Sequence, residues 1–210
     1  MIIAGNVGCF CSNHYIRAMI KAFKEFLSRW PGLTEEDIAF ISSFGELRNY
    51  DKKVIVTNIG EQENYIHLVL HGLARKFFYA GKKEIITQIA KENEFINSSV
   101  SFITSKPSEY IIETIEPSVF ISFTQEHLEI LMNSNLKYKK VIRMILMQLL
   151  IEKEKWEIER VELNTRERFA NFIKTNSELF RRVPQKYLAS YLNIQPETFS
   201  RLKHTLKKAY

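Results

Sequence analysis

Five side chains near the end of the chain share a spacing that suits base recognition. Glu197, Ser200, Arg201, His204 and Lys208 follow one another at i, i+3, i+4, i+7 and i+11. On a helix that spacing gathers them on one face. The stripe mixes hydrogen-bonding types instead of repeating one charge. An arginine can donate two hydrogen bonds to O6 and N7 of guanine, and a glutamate can accept from N4 of cytosine. Ser200 is short enough to let a helix come close to a groove. The chemistry of Glu197, Ser200 and Arg201 thus suits contacts with base edges. Arg181, Arg182, Lys186, Thr198, His204 and Lys208 are the candidates for secondary or phosphate contacts, which position a protein without reading sequence.

Such a helix needs an element to hold it. The segment "VPQKYLASYLNIQPETFSRLKHTLKK" (183–208) reads as two short helices with a tight turn between them. Pro184 suits a first helical position, and Leu188 and Leu192 stack at i, i+4. Ala189 leaves a smooth spot for a crossing helix. Asn193 tolerates the left-handed conformation that a sharp turn requires. Pro196 opens the second helix, and Phe199, Leu202 and Leu206 form its inward stripe. This is the pattern of a helix-turn-helix. A solvated surface helix in an ordinary bundle would show the polar face without the turn residues.

The charge distribution agrees. Residues 166–210 hold ten Lys and Arg against three Asp and Glu, while residues 1–165 hold twenty against twenty-one, so the net charge of +6 resides in the last fifth of the chain. A basic segment beside a neutral body points to a polyanion, with nucleic acid ahead of a membrane surface. The apolar run "VIRMILMQLLI" at 141–151 is interrupted by Arg143 and Gln148 and is too short to span a bilayer. "MIIAGNVGCFCSNH" lacks a basic n-region and a cleavage site, so it does not read as a signal peptide. Two cysteines, Cys9 and Cys11, are too close for an ordinary disulfide and fit a reducing compartment, so a cytoplasmic location is expected.

Elsewhere the chain offers little reactive chemistry. Cys9, Cys11 and His14 could supply metal ligands, but two cysteines cannot hold a four-thiolate iron–sulfur cluster, and reduced thiols in a leader explain them as well. His67 and His71 are expected on the same, solvated side of one strand. No activated nucleophile, carboxylate pair or glycine-rich phosphate loop stands out. No cofactor, metal or enzymatic activity is expected.

Ahead of the basic segment the periodicity changes twice. Residues 14–43 are helical, with Ile16, Ile20, Phe23 and Leu27 on one face and Thr34 as an N-cap. From Arg48 to Phe123, short runs rich in Ile, Val, Phe and Tyr alternate with turn signals at Gly60, Gly72, Gly81, Pro107 and Pro117, which predicts an antiparallel barrel, roll or sandwich. Residues 135–160 form a long helix without Gly or Pro. Its Tyr138, Ile142, Ile145, Leu149 and Trp156 recur at spacings of four and three, the expected seam of a homodimer.

This order of elements, together with "PETFSR" at 196–201, resembles the Crp/Fnr family of bacterial transcription regulators. Glu197, Ser200 and Arg201 match that family's recognition-helix motif Glu-x-x-Ser-Arg, and the resemblance implies that they are the base readers. The resemblance runs from about Leu33 to Lys208, weakly at first and strongly from Val183. It implies an α+β chain in four parts: an extension at 1–30, a jelly-roll-like cyclic-nucleotide-binding-type roll at 31–133, a dimerisation helix at 134–160 and a (winged) helix-turn-helix at 161–210. It implies a palindromic double-stranded DNA operator, a second copy of the chain and RNA polymerase as partners. Nucleotide-binding members carry a Gly-Glu pair and an arginine about ten residues on. Here Asn97-Ser98 and Ser108-Glu109 stand in those places, with no glycine after Gly81 and no arginine between Arg75 and Arg143. The fold is expected without that ligand. A regulator of the same fold that responds to a cyclic nucleotide or another small molecule is the alternative within the class. A cupin-like small-molecule-binding protein or enzyme with an incidental basic tail is the alternative from another class, and the missing histidine cluster counts against it.

Overall fold

The structure, a computed structural model, describes the backbone of residues 3–4 and 13–207 and the side chains of 15–205. Cys9, Cys11 and Lys208 lie outside the described residues, as do the side chains of His14 and Leu206. The chain divides into two compact units. One comprises residues up to Phe78 together with Gln88–Arg143, and the other Tyr79–Thr87 together with Met144 onward.

The first unit contains most of the roll, of which the hairpin tip Tyr79–Thr87 groups with the second. The strands are β1 (Ile3–Ala4), β2 (Glu46–Tyr50), β3 (Ile55–Thr57), β4 (Tyr65–His71), β5 (Ala74–Ala80), β6 (Lys83–Ala90), β7 (Phe95–Ile96), β8 (Ile111–Thr114) and β9 (Ser118–Thr124). They form two sheets, ordered β1-β2-β9-β4-β7 and β3-β8-β5-β6. The pairings resolved between neighbours are antiparallel, apart from the parallel β1–β2 contact. The apolar runs expected at β4, β5, β6, β8 and β9 are thus strands. Val69, Ala74, Ala90, Ile96, Ile112 and Phe120 form a buried core cluster.

Helix α1 (Asn13–Leu27) explains why β4 and β9 are apolar on both faces. Phe23 and Phe26 are buried, and their rings meet Phe123 at 5.8 Å and Phe95 at 5.7 Å. The boundary expected at residue 30 therefore separates residues that pack together. Helix α2 (Glu35–Ser43) starts at Thr34, which forms a capping box with Asp37. The turn from β4 to β5 needs Gly72 for two reasons. Its φ is +91°, and a Cβ there would fall on the Pro117 carbonyl and on Ser118.

The two histidines of β4 do not share a solvated face. The register against β9 shifts between Val69 and His71, so the two-residue period breaks. His67 is only 1% exposed, opposite Ser122, while His71 is exposed.

After α3 (Ser99–Thr104) and β8–β9 the chain is helical: α4 (Gln125–Ser134), α5 (Leu136–Glu162), α6 (Thr165–Thr175), α7 (Ser177–Arg182), α8 (Gln185–Tyr191) and α9 (Pro196–Lys207). No strand follows Thr124 among the described residues, so the wing expected beside the helix-turn-helix is not found there. Helix α7 stands between α6 and α8 instead. None of the helices is long and apolar enough to cross a membrane, among the described residues.

Candidate nucleic-acid interface

Helix α8 ends in a Schellman motif. The N–H of Ile194 donates to the Ala189 carbonyl at 2.9 Å, and that of Asn193 to the Ser190 carbonyl at 3.0 Å. Asn193 takes the left-handed conformation expected of it, with φ of 53°. Ile194 then points inward and is buried. Helix α9 begins at Pro196, as expected, whereas Pro184 caps α8 from one residue outside it. Ala189, at 1% exposure, marks where α8 and α9 pack together.

Phe199 anchors α9 from within. Its ring meets Phe169 edge-on at 5.1 Å and stacks on Phe180 at 6.1 Å, while Leu188, Leu192, Leu179 and Val183 close the small core. With Phe199 held inward, the helical period turns Glu197, Ser200, Arg201 and His204 outward, and all four are exposed. Thr198 is half-buried at the edge of this face.

The candidate phosphate contacts differ in availability. Arg181 and Lys186 are exposed. Arg182 is half-buried, and its guanidinium donates to the carboxylate of Glu178 one turn earlier. An arginine already held by a carboxylate gives up part of its attraction for phosphate, so Arg182 is the weakest of the candidates. Lys203, not singled out from the sequence, lies with its Nζ 5.3 Å from the centre of the Phe180 ring.

Helix α5 carries apolar residues on more than one side. Tyr138 is 7% exposed and committed within its own unit: its hydroxyl donates to Asp37 at 2.9 Å and its ring stacks on Phe40 at 5.6 Å. Ile142, Ile145 and Leu149 are half-buried, and Trp156 stacks on Tyr191. The large apolar residues of α5 left exposed are Leu136, Leu146, Met147, Leu150, Ile151, Ile158 and Val161, with Leu146, Met147, Leu150 and Ile151 gathered mid-helix at 54%, 57%, 57% and 42%. Of the expected seam, Tyr138 is thus committed within its own unit, and a second, more exposed apolar stripe runs along the helix.

At the positions expected of the degenerate pocket, Asn97, Ser98 and Ser108 are engaged in the roll's own hydrogen bonds. Asn97 and Ser98 are buried where α3 begins, and the Asn97 carbonyl accepts from Lys76 Nζ at 3.2 Å. Ser108 Oγ donates to the Tyr110 carbonyl at 2.8 Å, while Glu109 is exposed. The sequence reading missed Glu63, which is 3% exposed beneath this segment. Its carboxylate accepts from Thr57 Oγ1 at 2.8 Å, from the Tyr65 N–H at 3.2 Å and from the Ser98 N–H at 3.4 Å, and it lies 3.7 Å from His67 Nε2. Burial alone pushes the Glu63 carboxyl up. The neighbouring His67 ring, the Thr57 hydroxyl and the Tyr65 N–H outweigh it and hold the group below the ordinary carboxylate range. Among the described residues no cluster of three or more His, Cys, Asp or Glu could hold a metal.

A double-sheeted roll, a long helix and a terminal helix-turn-helix together define the fold of the Crp/Fnr regulators and of cyclic-nucleotide-binding domain proteins. Three solved structures illustrate the likeness. A mutant of CooA from Carboxydothermus hydrogenoformans is 18% identical, with a TM-score of 0.65 over 89% of this chain and 84% of that one. The c-di-GMP responsive global regulator CLP of Xanthomonas campestris is 18% identical, with a TM-score of 0.63 over 81% and 89%. FixK2 from Bradyrhizobium japonicum is also 18% identical, with a TM-score of 0.63 over 79% and 85%. At these identities the likeness is one of fold. No protein-family model and no curated protein matches the chain.

Proposed function

We propose that the chain is a homodimeric, sequence-specific DNA-binding transcription regulator of the Crp/Fnr type that does not respond to cyclic AMP. The observation that carries this reading is the exposed stripe Glu197, Ser200, Arg201 and His204 on α9, held outward by buried Phe199 and by the left-handed turn at Asn193. Arg201 and Glu197 supply a guanine and a cytosine reader one turn apart, Ser200 leaves room for close approach, and Arg181 and Lys186 are placed for phosphates.

Dimerisation is supported by the exposed Leu146, Met147, Leu150 and Ile151 of α5. Four large apolar residues in one stretch of a solvent-facing helix side call for a partner. A second copy would present the same stripe and place two reading helices on one palindrome, with RNA polymerase as the further partner of such a regulator.

Indifference to cyclic AMP follows from the residues that stand at the nucleotide-binding positions. A cyclic phosphate would meet no arginine fork at Asn97, Ser98, Ser108 or Glu109. It would also approach the ionised Glu63. Two experiments test the reading. Selection from a random duplex pool by the purified protein is expected to enrich a palindrome with half-sites about 10–10.5 base pairs apart, and failure to enrich any sequence would sink it. Thermal melting with cyclic AMP or cyclic GMP is expected to show no concentration-dependent shift.

A further inference from the structure

Helix α8 makes a contact that base reading does not use. Ser190 Oγ donates to the Glu84 carbonyl at 2.8 Å and accepts the Ile86 N–H at 3.1 Å. One hydroxyl thereby satisfies two backbone groups of β6, and Ile86 itself is 3% exposed. The tip of the β5–β6 hairpin, Tyr79–Thr87, accordingly groups with the residues from Met144 onward. The loop at that tip is two residues long. Gly81, with φ of +63°, leads it, and Lys82 and Lys83 follow, both exposed. Neither lysine has an ion-pair partner among the described residues.

Ser190 lies four residues beyond Lys186, so the two share a side of α8. The tip is therefore bonded to the same side of α8 that carries an exposed candidate phosphate contact. The helix-turn-helix meanwhile has no strand of its own among the described residues after Thr124. We propose that the β5–β6 tip serves as the wing of this DNA-binding module, with Lys82 and Lys83 gripping the phosphate backbone alongside Lys186 while α9 reads bases. The inference rests on the DNA-binding function proposed above. It assigns to a sequence-distant hairpin the sequence-independent share of the affinity.

The test compares the wild-type protein with Lys82→Gln/Lys83→Gln and with Arg201→Ala, on the selected palindrome and on random duplex across a salt series. The lysine variant is expected to lose affinity equally on both DNAs. Its log–log salt slope should become shallower by up to about two per protomer, each phosphate contact contributing about 0.9, with base preference unchanged. Ser190→Ala, which frees the tip, should lower the slope in the same direction and speed amide exchange at Ile86. An unchanged affinity and slope for the lysine variant, in a preparation whose wild type binds and whose Arg201→Ala loses specificity, overturns the wing. So does a gain of affinity in Ser190→Ala, which would make the contact a lock. A wild type that binds neither DNA overturns the DNA-binding reading itself.

Discussion

Trp156 and Tyr191 lie ring on ring, with centroids 4.6 Å apart and planes 5° from parallel. Trp156 belongs to the long helix α5 and Tyr191 is the last residue of α8, so this stack fastens the end of the long helix to the first helix of the helix-turn-helix. Tyr191 also meets the edge of buried Phe172 at 5.9 Å. An aromatic pair of this geometry contributes about 0.5–1.5 kcal/mol beyond its burial. A double-mutant cycle with Trp156→Leu and Tyr191→Leu, read by urea unfolding, should return a coupling of that size. Simple additivity would reduce the stack to an incidental contact.

The turn at Asn193 makes a second prediction. With φ at 53° the position is left-handed, which costs an ordinary L-residue about 1–2 kcal/mol. Asn193→Ala should therefore destabilise by about 1 kcal/mol, and Asn193→Gly should be close to neutral. Equal stabilities for the Ala and Gly variants would argue against a strained turn.

Asp37 gives the first unit an acid-sensitive joint. Its carboxylate accepts from Lys137 Nζ at 2.7 Å, from the Thr34 N–H at 2.8 Å and Thr34 Oγ1 at 2.9 Å, and from the Tyr138 hydroxyl. The Lys137 contact foremost, then the Thr34 N–H and the Tyr138 and Thr34 hydroxyls, hold it well below the ordinary carboxylate range against the opposing effect of desolvation. A carboxyl depressed by folding adds stability that is complete above its unfolded pKa, about 3.9, and is lost as pH falls through the lower folded value. Asp37→Asn should be less stable than wild type at neutral pH, and the gap should shrink as unfolding is measured toward pH 2. A gap independent of pH contradicts this.

The free stripe of α5 makes the dimer testable residue by residue. Leu150→Glu, at a 57% exposed position, should leave the fold intact and shift the protein to monomer in sedimentation. A dimer that survives this substitution would place the contact elsewhere.

These residues also show how much of the molecule was legible beforehand. The helix-turn-helix could be read because its signals are local: Asn193 takes a left-handed turn, Pro196 starts a helix, and Phe199 and Arg201 fall on opposite faces by helical period alone. Strands β4, β6 and β9 were legible from their apolar runs. Strand β2 was not, because "ELRNY" buries only Leu47 and is a strand through its pairing with β9. His67 was placed in solvent because the bulge before His71 leaves no mark on the sequence. The face of α5 that meets a partner was not legible, because that helix is apolar all round. Which side is covered depends on partners such as Asp37, 101 residues from Tyr138. The Ser190 contact was likewise invisible, joining a side chain to backbone more than a hundred residues away.

Base reading by α9 is tested most directly by the affinity of Arg201→Ala for the selected palindrome and for each single-base variant of it, at fixed salt. The expected result is a loss of about 1–3 kcal/mol on the palindrome, with discrimination relaxed at one symmetric base position and retained at the others. An equal loss on the palindrome, on its variants and on random duplex would mean that Arg201 contacts only the backbone, and would contradict the assignment of α9 as the reading helix.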